Sequence, residues 1–320
     1  MNDVRTAPKI SILIPVFNRQ KYIAECIQSA LNQSFEDFEI VVVDNASDDG
    51  TWVICQEIAL SDARVRVFRN ETNIGPVRNW IRCASEAKGV FSKMLFSDDC
   101  LEPNCLSEME PKLDDPNVAF VFCAARIGKS REDSEIAYAQ SDSSRLSSVQ
   151  LLNLVLTGKA PVSPGAVLIR TVDLLQNLHV SFPTSTQREF GKNGAGPDVM
   201  VMLLTSRRYK FVANVSAPLV YFRVHAGSFS IENAHNSVVS GYRSVIALFL
   251  IENHGRKAWM KYMAHCWLHQ IRVGHAWRNP ISHLREYEGH GSLREVFDLL
   301  VTALFLVLNK LLNGRIVTVH

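Results

Sequence analysis

The sequence predicts an α/β fold in which helices cover a largely parallel sheet. Short apolar runs rich in β-branched residues alternate with segments of helical period, and polar residues follow the runs. The runs are ISILIPV, FEIVVVD, RVRVF and VFSKMLF, all within the first 100 residues. A chain of 320 residues with 47% hydrophobic content can bury such a core and hold a further region.

The clearest helix lies between the first two runs, at residues 21–32. Its apolar residues recur at the i, i+3, i+4, i+7 and i+8 positions of one helical face: Ile23, Cys26, Ile27, Ala30 and Leu31. This face can pack on the sheet. No G-x-G-x-x-G follows the first run, so the usual dinucleotide-binding fingerprint is absent.

Beyond Pro103 the alternation of strand and helix patterns is less regular, but both patterns are still present. We predict a strand at VAFVFCA, an exposed excursion at GKSREDSEIAYAQSDSSR, a helix at residues 149–157 and a strand at SPGAVLIR. A glycine-rich, mobile loop, QREFGKNGAGPD, should lead to a helix at VMVMLLTSRR and to paired strands in YKFVANVSAPLVYFRVH. We therefore place an α/β domain at residues 1–235 and a helical region at residues 236–320.

The helical region is basic and ends in a strongly apolar helix. Residues 241–320 hold ten Lys or Arg against five Asp or Glu. The capping box SLRE predicts the start of the last helix, and Gly314 its end. Its uncharged stretch LLVTALFLVL falls short of the roughly 20 residues that a bilayer span needs. Packing on the α/β domain and docking on a membrane surface both stay open, and the basic charge favours docking.

Composition excludes several classes of protein. A net charge of +2 argues against a general nucleic-acid binder. The seven cysteines lack paired C-x-x-C spacing, so we expect reduced core thiols and no zinc site. The polar start, MNDVRTAPKI, lacks the apolar stretch of a signal peptide, and we therefore expect a cytoplasmic protein whose basic tail can lie on the inner face of the membrane.

Polar motifs lie at the ends of the predicted strands or in the adjoining loops. Asp98 and Asp99 come directly after the fourth run, where adjacent carboxylates indicate either a solvated turn or a bound cation. The other motifs are PVFN, VDNASDDGT, NIGPVRN, GPD and RVH. Because the carboxyl ends of parallel strands meet at one edge of a sheet, these motifs can converge on a ligand site.

In this order and spacing the motifs resemble those of inverting glycosyltransferases of family 2, which have the GT-A fold and bind nucleotide-sugars. The resemblance covers about residues 9–230. It implies a nucleobase pocket lined by Pro15, Val16, Phe17, Asn18 and Asp44. A carboxylate can accept the imide N–H of uracil or thymine, so Asp44 would select these bases over cytosine.

The same resemblance implies the phosphate side of the site. Gly75 would permit close backbone approach, and Arg78 would border the nucleotide. Asp98 would reach the ribose, and Asp99 would bind a divalent metal, Mg²⁺ or Mn²⁺, that bridges the diphosphate. His225 matches the late R-x-H-x-x-S motif of the family and would complete the metal shell.

Inversion also requires a base for the acceptor hydroxyl, and our candidate is Asp198. Pro197 preorganises the first turn of a predicted helix, whose dipole favours an ionised carboxylate there. The family usually has Glu-Asp at this point, whereas this chain has Pro197 before Asp198. Stabilisation of the helix end is the structural alternative for Asp198, and Glu189 is the next candidate base.

The sequence therefore predicts a metal-assisted, inverting glycosyltransferase with a UDP- or dTDP-linked donor and a saccharide or lipid-linked saccharide acceptor, of the kind used in bacterial surface-polysaccharide assembly. One alternative is a nucleotidyltransferase acting on sugar phosphates, although its phosphate signature near the first strand is missing. The other is a non-catalytic carbohydrate- or lipid-docking protein, which need not keep Asp99, Asp198 and His225. No motif specifies the sugar, the linkage or the oligomeric state.

Overall fold

A ten-stranded mixed sheet forms the centre of the fold. The computed structural model describes residues 7–140, 145–184, 190–228, 235–272, 279–287 and 289–313. The strands are β1 (Ile10–Val16), β2 (Phe38–Asp44), β3 (Val65–Arg69), β4 (Phe91–Met94), β5 (Cys100–Leu101), β6 (Val118–Gly128), β7 (Ser134–Ala137), β8 (Arg145–Leu146), β9 (Val167–Arg170) and β10 (Phe211–Arg223).

Helices cover both faces of this sheet and continue into the helical region. They are α1 (Ile23–Leu31), α2 (Thr51–Ser61), α3 (Pro76–Ser85), α4 (Cys105–Met109), α5 (Ser148–Leu156), α6 (Thr171–Asn177), α7 (Phe190–Asn193), α8 (Pro197–Ser206), α9 (His235–Asn253), α10 (Gly255–Arg272), α11 (Pro280–Glu286) and α12 (Leu293–Asn313). The predicted α/β fold class is confirmed, as are the four N-terminal strands and α1.

The strand order places the ends of the first strands together. The order is β3-β2-β1-β4-β9-β6-β10-β5, with β7 paired to β6 and β8 paired to β10. The pairs β1–β2, β2–β3 and β1–β4 are parallel, so their carboxyl ends share one edge. In this register Asp44 lies opposite Val16 on one side and opposite Arg69 on the other.

The structure corrects the prediction of paired strands near the end of the α/β domain. Residues 211–223 form one long strand, β10, which runs parallel to β6. Its register shifts between Val215 and Val220, on either side of Pro218. Proline cannot donate to the strand ladder, and the chain accommodates it with bulges instead of a turn. The predicted polar excursion contains β7, which returns along β6.

The core lies on both faces of the sheet. On one face the predicted stripe of α1 is buried against β1 and β2. On the other face a second cluster joins Leu13 of β1 to Val199 of α8, Val245 of α9, Trp259 of α10 and Leu299 of α12. The helical region therefore packs into the same core as the sheet. All seven cysteines are free and buried.

The last helix begins at the predicted capping box. Ser292 N donates to Glu295 Oε2 at 3.1 Å, and Glu295 N donates to Ser292 Oγ at 3.3 Å. One face of α12 is buried through Leu299 and Ala303. The opposite face exposes seven large apolar side chains: Leu293, Phe297, Leu300, Val301, Leu304, Phe305 and Leu308. Gly314, the predicted stop, lies outside the described residues. No helix within the described ranges combines the length and apolar character that a membrane span requires.

Candidate active site

The turn after β1 joins the loop after β2 at the carboxyl edge of the sheet. Asn18 adopts a left-handed backbone conformation with φ 51°. Its N–H donates to Ser47 Oγ at 2.9 Å, and its Oδ1 accepts from Asp48 N at 3.0 Å. Phe17 is 39% exposed at this edge, whereas Pro15 and Val16 are buried in β1. The turn thus presents an aromatic ring beside the end of β2.

Asp44 is wholly buried at the end of β2 and is fixed by two neighbours. Ser47 donates to its carboxylate through both the hydroxyl and the backbone N–H. Arg69, the last residue of β3, places Nε 3.1 Å from Asp44 Oδ2 and stacks its guanidinium over the Trp52 ring. The Ser47 N–H lies within 3.3 Å of both oxygens, so each oxygen of Asp44 has two neighbouring donors. The strand-end pattern located Asp44, but Arg69 was not recognised from the sequence.

Asparagine side chains hold the NIGPVRN turn against β2. Asn45 Oδ1 accepts from Ile74 N at 3.0 Å, and Asn45 Nδ2 donates to Asn73 Oδ1 at 2.8 Å. Gly75 has φ +83°, and a Cβ there would lie 3.2 Å from the carbonyl oxygen of residue 191. A side chain at this position would therefore be strained. Arg78 is exposed on the first turn of α3.

The Asp98–Asp99 pair lies where β4 leaves the sheet. Asp99 is only 8% exposed, and its Oδ1 accepts from the backbone N–H of Arg223 at 2.9 Å. Burial, together with the adjacent charge of Asp98, raises the pKa of the Asp99 carboxyl well above its usual value. Asp98 Oδ2 contacts Arg19 Nε at 3.3 Å and His225 Nε2 at 3.0 Å. The charges of Arg223 and Lys93 also act on Asp99, but they do not offset its burial.

The loop after β10 docks on this pair. His225 N donates to Ser228 Oγ at 2.9 Å, and Ser228 Oγ donates to the carbonyl oxygen of Arg223 at 3.2 Å. Arg223 Nε donates to the carbonyl oxygen of Asp98 at 3.0 Å. Arg19 reaches across to the carbonyl oxygen of Gly227 at 3.1 Å. The three residues of the predicted R-x-H-x-x-S motif therefore form one connected turn above the acid pair.

The donor set fits a hard divalent cation that is shared with a ligand. Within the described ranges, no three His, Cys, Asp or Glu side chains stand close enough together to hold a metal ion by themselves. Mg²⁺ sites in nucleotide enzymes commonly use one or two carboxylates and take the remaining ligands from phosphates. Asp98 and Asp99 supply that carboxylate pair, and the raised pKa of Asp99 means that a nearby cation would relieve its unfavourable charge.

Asp198 occupies a different environment at the start of α8. Its side chain is buried, and its Oδ1 accepts from the backbone N–H groups of Gly196 and Val199, each at 2.8 Å. Oδ2 accepts from the Tyr242 hydroxyl at 2.7 Å. Burial raises the pKa of Asp198 to about 7, against the opposing effect of these hydrogen bonds. An ionised carboxylate has about four acceptor positions, so one remains for a further donor.

The predicted residues form two connected groups and one separate carboxylate. Asp98, Asp99 and His225 lie together, and Asn18 is linked to Asp44 through Ser47. Asp198 contacts neither group. Residues 190–196, which lead into Asp198, cross α3: a Cβ on Gly191 would lie 3.7 Å from Arg78 Nη1, and Gly194 lies against the Trp80 ring. Glu189, the second candidate base, lies outside the described residues.

Arg19, Arg69 and Tyr242 contact predicted site residues but were not themselves predicted from the sequence. Arg19 directly follows PVFN, and Arg69 directly follows the predicted run RVRVF and ends β3 at the same edge. Both could have been found by the strand-end rule that located Asp44. Tyr242 comes from the helical region and carries no signal in the sequence.

Comparison with known proteins identifies the family. The model of "Glycosyl transferase family 2" matches residues 11–175, and the chain belongs to this family. Its fold is that of the GT-A members: the structure of S. aureus TarS residues 1–349 with UDP-GlcNAc superposes with a TM-score of 0.68 at 18% identity, covering 96% of this chain and 92% of that chain. The predicted family and fold are thereby confirmed.

Curated relatives are similar to part of the chain. EpsH of Bacillus subtilis is 28% identical over 229 residues, which are 69% of this chain and 62% of EpsH. The Campylobacter jejuni "GalNAc(5)-diNAcBac-PP-undecaprenol beta-1,3-glucosyltransferase" is 36% identical over 123 residues, 38% of this chain and 40% of that enzyme. The alignments thus span less than two thirds of the length of either relative.

Proposed function

We propose that the protein is an inverting glycosyltransferase that moves a sugar from a UDP- or dTDP-linked donor to a hydroxyl of a saccharide or lipid-linked saccharide. One observation carries this proposal: Asp44, on the side suited to a nucleobase, and the Asp98–Asp99 pair, suited to a diphosphate-bound cation, share one edge of the sheet. Membership of family 2 and the UDP-GlcNAc bound by TarS support it.

The nucleobase of the donor would lie between Phe17 and Asp44. The exposed ring of Phe17 offers an apolar face. Asp44 would take the imide N–H of uracil or thymine in place of the 3.2 Å contact from Ser47 N to Oδ2, because the Ser47 N–H also reaches Oδ1. Cytosine has no N–H at that position, so it would leave the buried carboxylate without its partner. Arg69 supplies the counter-charge that permits a wholly buried carboxylate here.

The diphosphate would lie beside Asp98 and Asp99. These two carboxylates would hold a divalent cation, Mg²⁺ or Mn²⁺, with His225 as a further ligand. When bound, such a cation supplies positive charge to the departing diphosphate. Arg19 already lies on Asp98 and can also donate to phosphate oxygens, for which a guanidinium is well suited. The backbone at Gly75 would approach the donor closely, as the family resemblance implies, and its Cβ position faces the carbonyl oxygen of residue 191.

Asp198 is the proposed base. The acceptor hydroxyl loses its proton to Asp198 while its oxygen forms a bond to the anomeric carbon, and the bond from that carbon to the diphosphate oxygen breaks. A pKa of about 7 suits this role, since the carboxylate is ionised just above neutral pH and still has useful basicity. A single displacement inverts the anomeric configuration.

We further propose that the acceptor is reached at a membrane surface. The Campylobacter relative is named for an undecaprenol-linked substrate. The outward face of α12 exposes Phe297, Leu304 and Phe305 to about two thirds of their full extent. Among the described residues from 235 to 313, the exposed basic side chains are Arg256, Lys257, Lys261, Arg285 and Arg294, against one exposed acid, Glu252. An apolar face within basic surroundings favours the anionic inner face of the cytoplasmic membrane.

A donor screen tests the function. UDP- and dTDP-sugars are incubated with the protein in Mn²⁺, Mg²⁺ or a chelator, and nucleoside diphosphate release is measured; NMR then gives the anomeric configuration of the product. We expect metal-dependent release from a few donors and inversion. Formation of pyrophosphate from a nucleoside triphosphate and a sugar phosphate would instead make the protein a nucleotidyltransferase. Binding of donors without any turnover would indicate a docking protein.

A further inference from the structure

Helix α9 packs directly against the segment that positions Asp198. A Cβ on Gly241 would lie 2.6 Å from the carbonyl oxygen of Ala195, so the α9 backbone touches that segment with no room for a side chain. Four residues further along the helix, Val245 Cγ1 would lie 3.0 Å from a Cβ on Gly196. Gly241 and Val245 lie on one helical face. The start of α8 therefore rests on the helical region.

Tyr242 lies next to Gly241 at this contact and bonds the carboxylate itself. Its hydroxyl donates to Asp198 Oδ2 at 2.7 Å. The other two donors to Asp198 are backbone N–H groups and both bond Oδ1. Tyr242 is thus the one side chain in the described part of the molecule that hydrogen-bonds Asp198, and it alone contacts the oxygen that has an acceptor position left.

We propose that Tyr242 is a positioning residue for the catalytic base, supplied by the helical region: it fixes Asp198 Oδ2 so that the remaining acceptor position of this oxygen faces the acceptor hydroxyl. The inference rests on the proposed role of Asp198. Tyr242 keeps its own proton throughout, because the proton taken from the acceptor goes to Asp198. The helical region then forms part of the active site and is more than an appendage.

The contact also affects the pH at which Asp198 is ionised. Burial disfavours the carboxylate, whereas the Tyr242 hydrogen bond favours it and lowers the pKa of Asp198. The titratable groups that face this contact are Asp198 and Tyr242 themselves and Tyr138, from the loop after β7. Replacing Tyr242 by Phe should therefore raise the pKa of Asp198 above about 7. A purely structural contact would lower the rate equally at every pH.

The kinetic test compares Tyr242→Phe with Tyr262→Phe, a matched loss of a buried tyrosine hydroxyl on α10, away from Asp198. UDP release from UDP-GlcNAc, or from the UDP- or dTDP-sugar that is hydrolysed fastest, is followed from pH 5.5 to 9. In Tyr242→Phe we expect the acidic limb of the profile to move up by about one pH unit, with recovery of the rate at high pH. Tyr262→Phe should leave the limb in place. An unmoved limb in Tyr242→Phe overturns the proposal.

A second measurement needs no donor. In the folded protein the pKa of Asp198 is about 7, whereas an unfolded Asp titrates near 3.9, so the stability associated with this group is fully present below about pH 4 and is lost as pH rises through 7. The hydrogen bond from Tyr242 is stronger to the ionised form. The difference in unfolding free energy between wild type and Tyr242→Phe should therefore be larger at pH 8.5 than at pH 5.

Measurements on the Asp198→Asn variant separate failure of the Tyr242 inference from failure of the proposed role of Asp198. There the Tyr242→Phe difference should be the same at both pH values, because burial raises the pKa of Tyr242 and of Tyr138 above the usual value for tyrosine and neither loses its proton in this range. If the difference is also independent of pH in the wild-type background, the proposed contact does not act on the carboxylate and the inference fails. If Asp198→Asn retains full turnover, the proposed function of Asp198 fails instead, and Tyr242 loses its catalytic role even where the stability measurement shows the contact.

Discussion

The carboxyl edge of the sheet and the start of α8 both bury carboxylates, but they surround them differently. At the sheet edge the carboxylate of Asp44 pairs with the guanidinium group of Arg69, and that of Asp98 pairs with the guanidinium group of Arg19. Asp198 is met by neutral donors: two backbone N–H groups and a tyrosine hydroxyl. Neutral donors leave a carboxylate with a proton affinity that chemistry can use, whereas a cluster of charges is suited to holding a charged ligand. This difference suits the two roles that we propose, donor binding at the sheet edge and proton acceptance at Asp198.

The largest effect on sugar transfer is expected from a change at Asp198. We expect Asp198→Asn to reduce sugar transfer by about 100-fold or more, since the amide keeps the size of the side chain but cannot accept the proton. Transfer is measured with the donor found in the screen, and UDP affinity by calorimetry serves as the control, which should stay unchanged. Full transfer by this variant, or retention of anomeric configuration by wild type, would contradict the assignment of Asp198 as the base.

At the sheet edge the corresponding change is Asp99→Asn. We expect the Mn²⁺-dependent affinity for UDP or dTDP to fall by at least about tenfold, because a carboxylate ligand is lost beside the diphosphate. The empty variant should melt at or above the wild-type temperature, since burial and, after it, the adjacent charge of Asp98 disfavour an ionised Asp99 and raise its pKa, and the amide carries no charge. Equal UDP affinity with and without chelator in the wild-type protein would remove the metal from this site.

The two regions also differ in how far sequence could predict them. The strand-end rule works at the sheet edge because parallel strands bring their carboxyl ends together. Period and position therefore located the motifs of Asp44, Asp98 and Asp99, and the family resemblance supplied the roles predicted for them. The contact between Asp198 and Tyr242 joins residues 44 apart through helix packing, which no local pattern encodes. The segment of β10 was predicted as paired strands, but it forms one strand whose pairing with β6 continues past Pro218.

A weaker effect is expected at the nucleobase. Asp44→Asn replaces an acceptor by a group that can present a donor, so the affinity for uridine and thymidine diphosphates should fall by about tenfold while that for cytidine diphosphate changes little. Competition binding with the three nucleotides measures this selectivity. Because Asp44 is also held by Ser47 and Arg69, the melting temperature of the empty variant must be recorded. A large drop in melting temperature with equal losses for all three nucleotides would make Asp44 structural.

The smallest effect on catalysis is expected from changes to the outer face of α12. These changes should weaken membrane binding and leave turnover in solution intact. We expect the combined change of Phe297, Leu304 and Phe305 to Ser to lower co-sedimentation with anionic vesicles by about tenfold or more, since each buried apolar side chain contributes roughly 1.5–3 kcal/mol. Leu60→Ser, at a side chain that is 90% exposed on α2, is a matched control and should bind vesicles as wild type does. Binding should weaken with added salt if the basic side chains contribute. Unchanged vesicle binding in the triple variant, together with a shift from dimer to monomer by analytical ultracentrifugation, would show that a second copy of the chain covers this face instead of lipid.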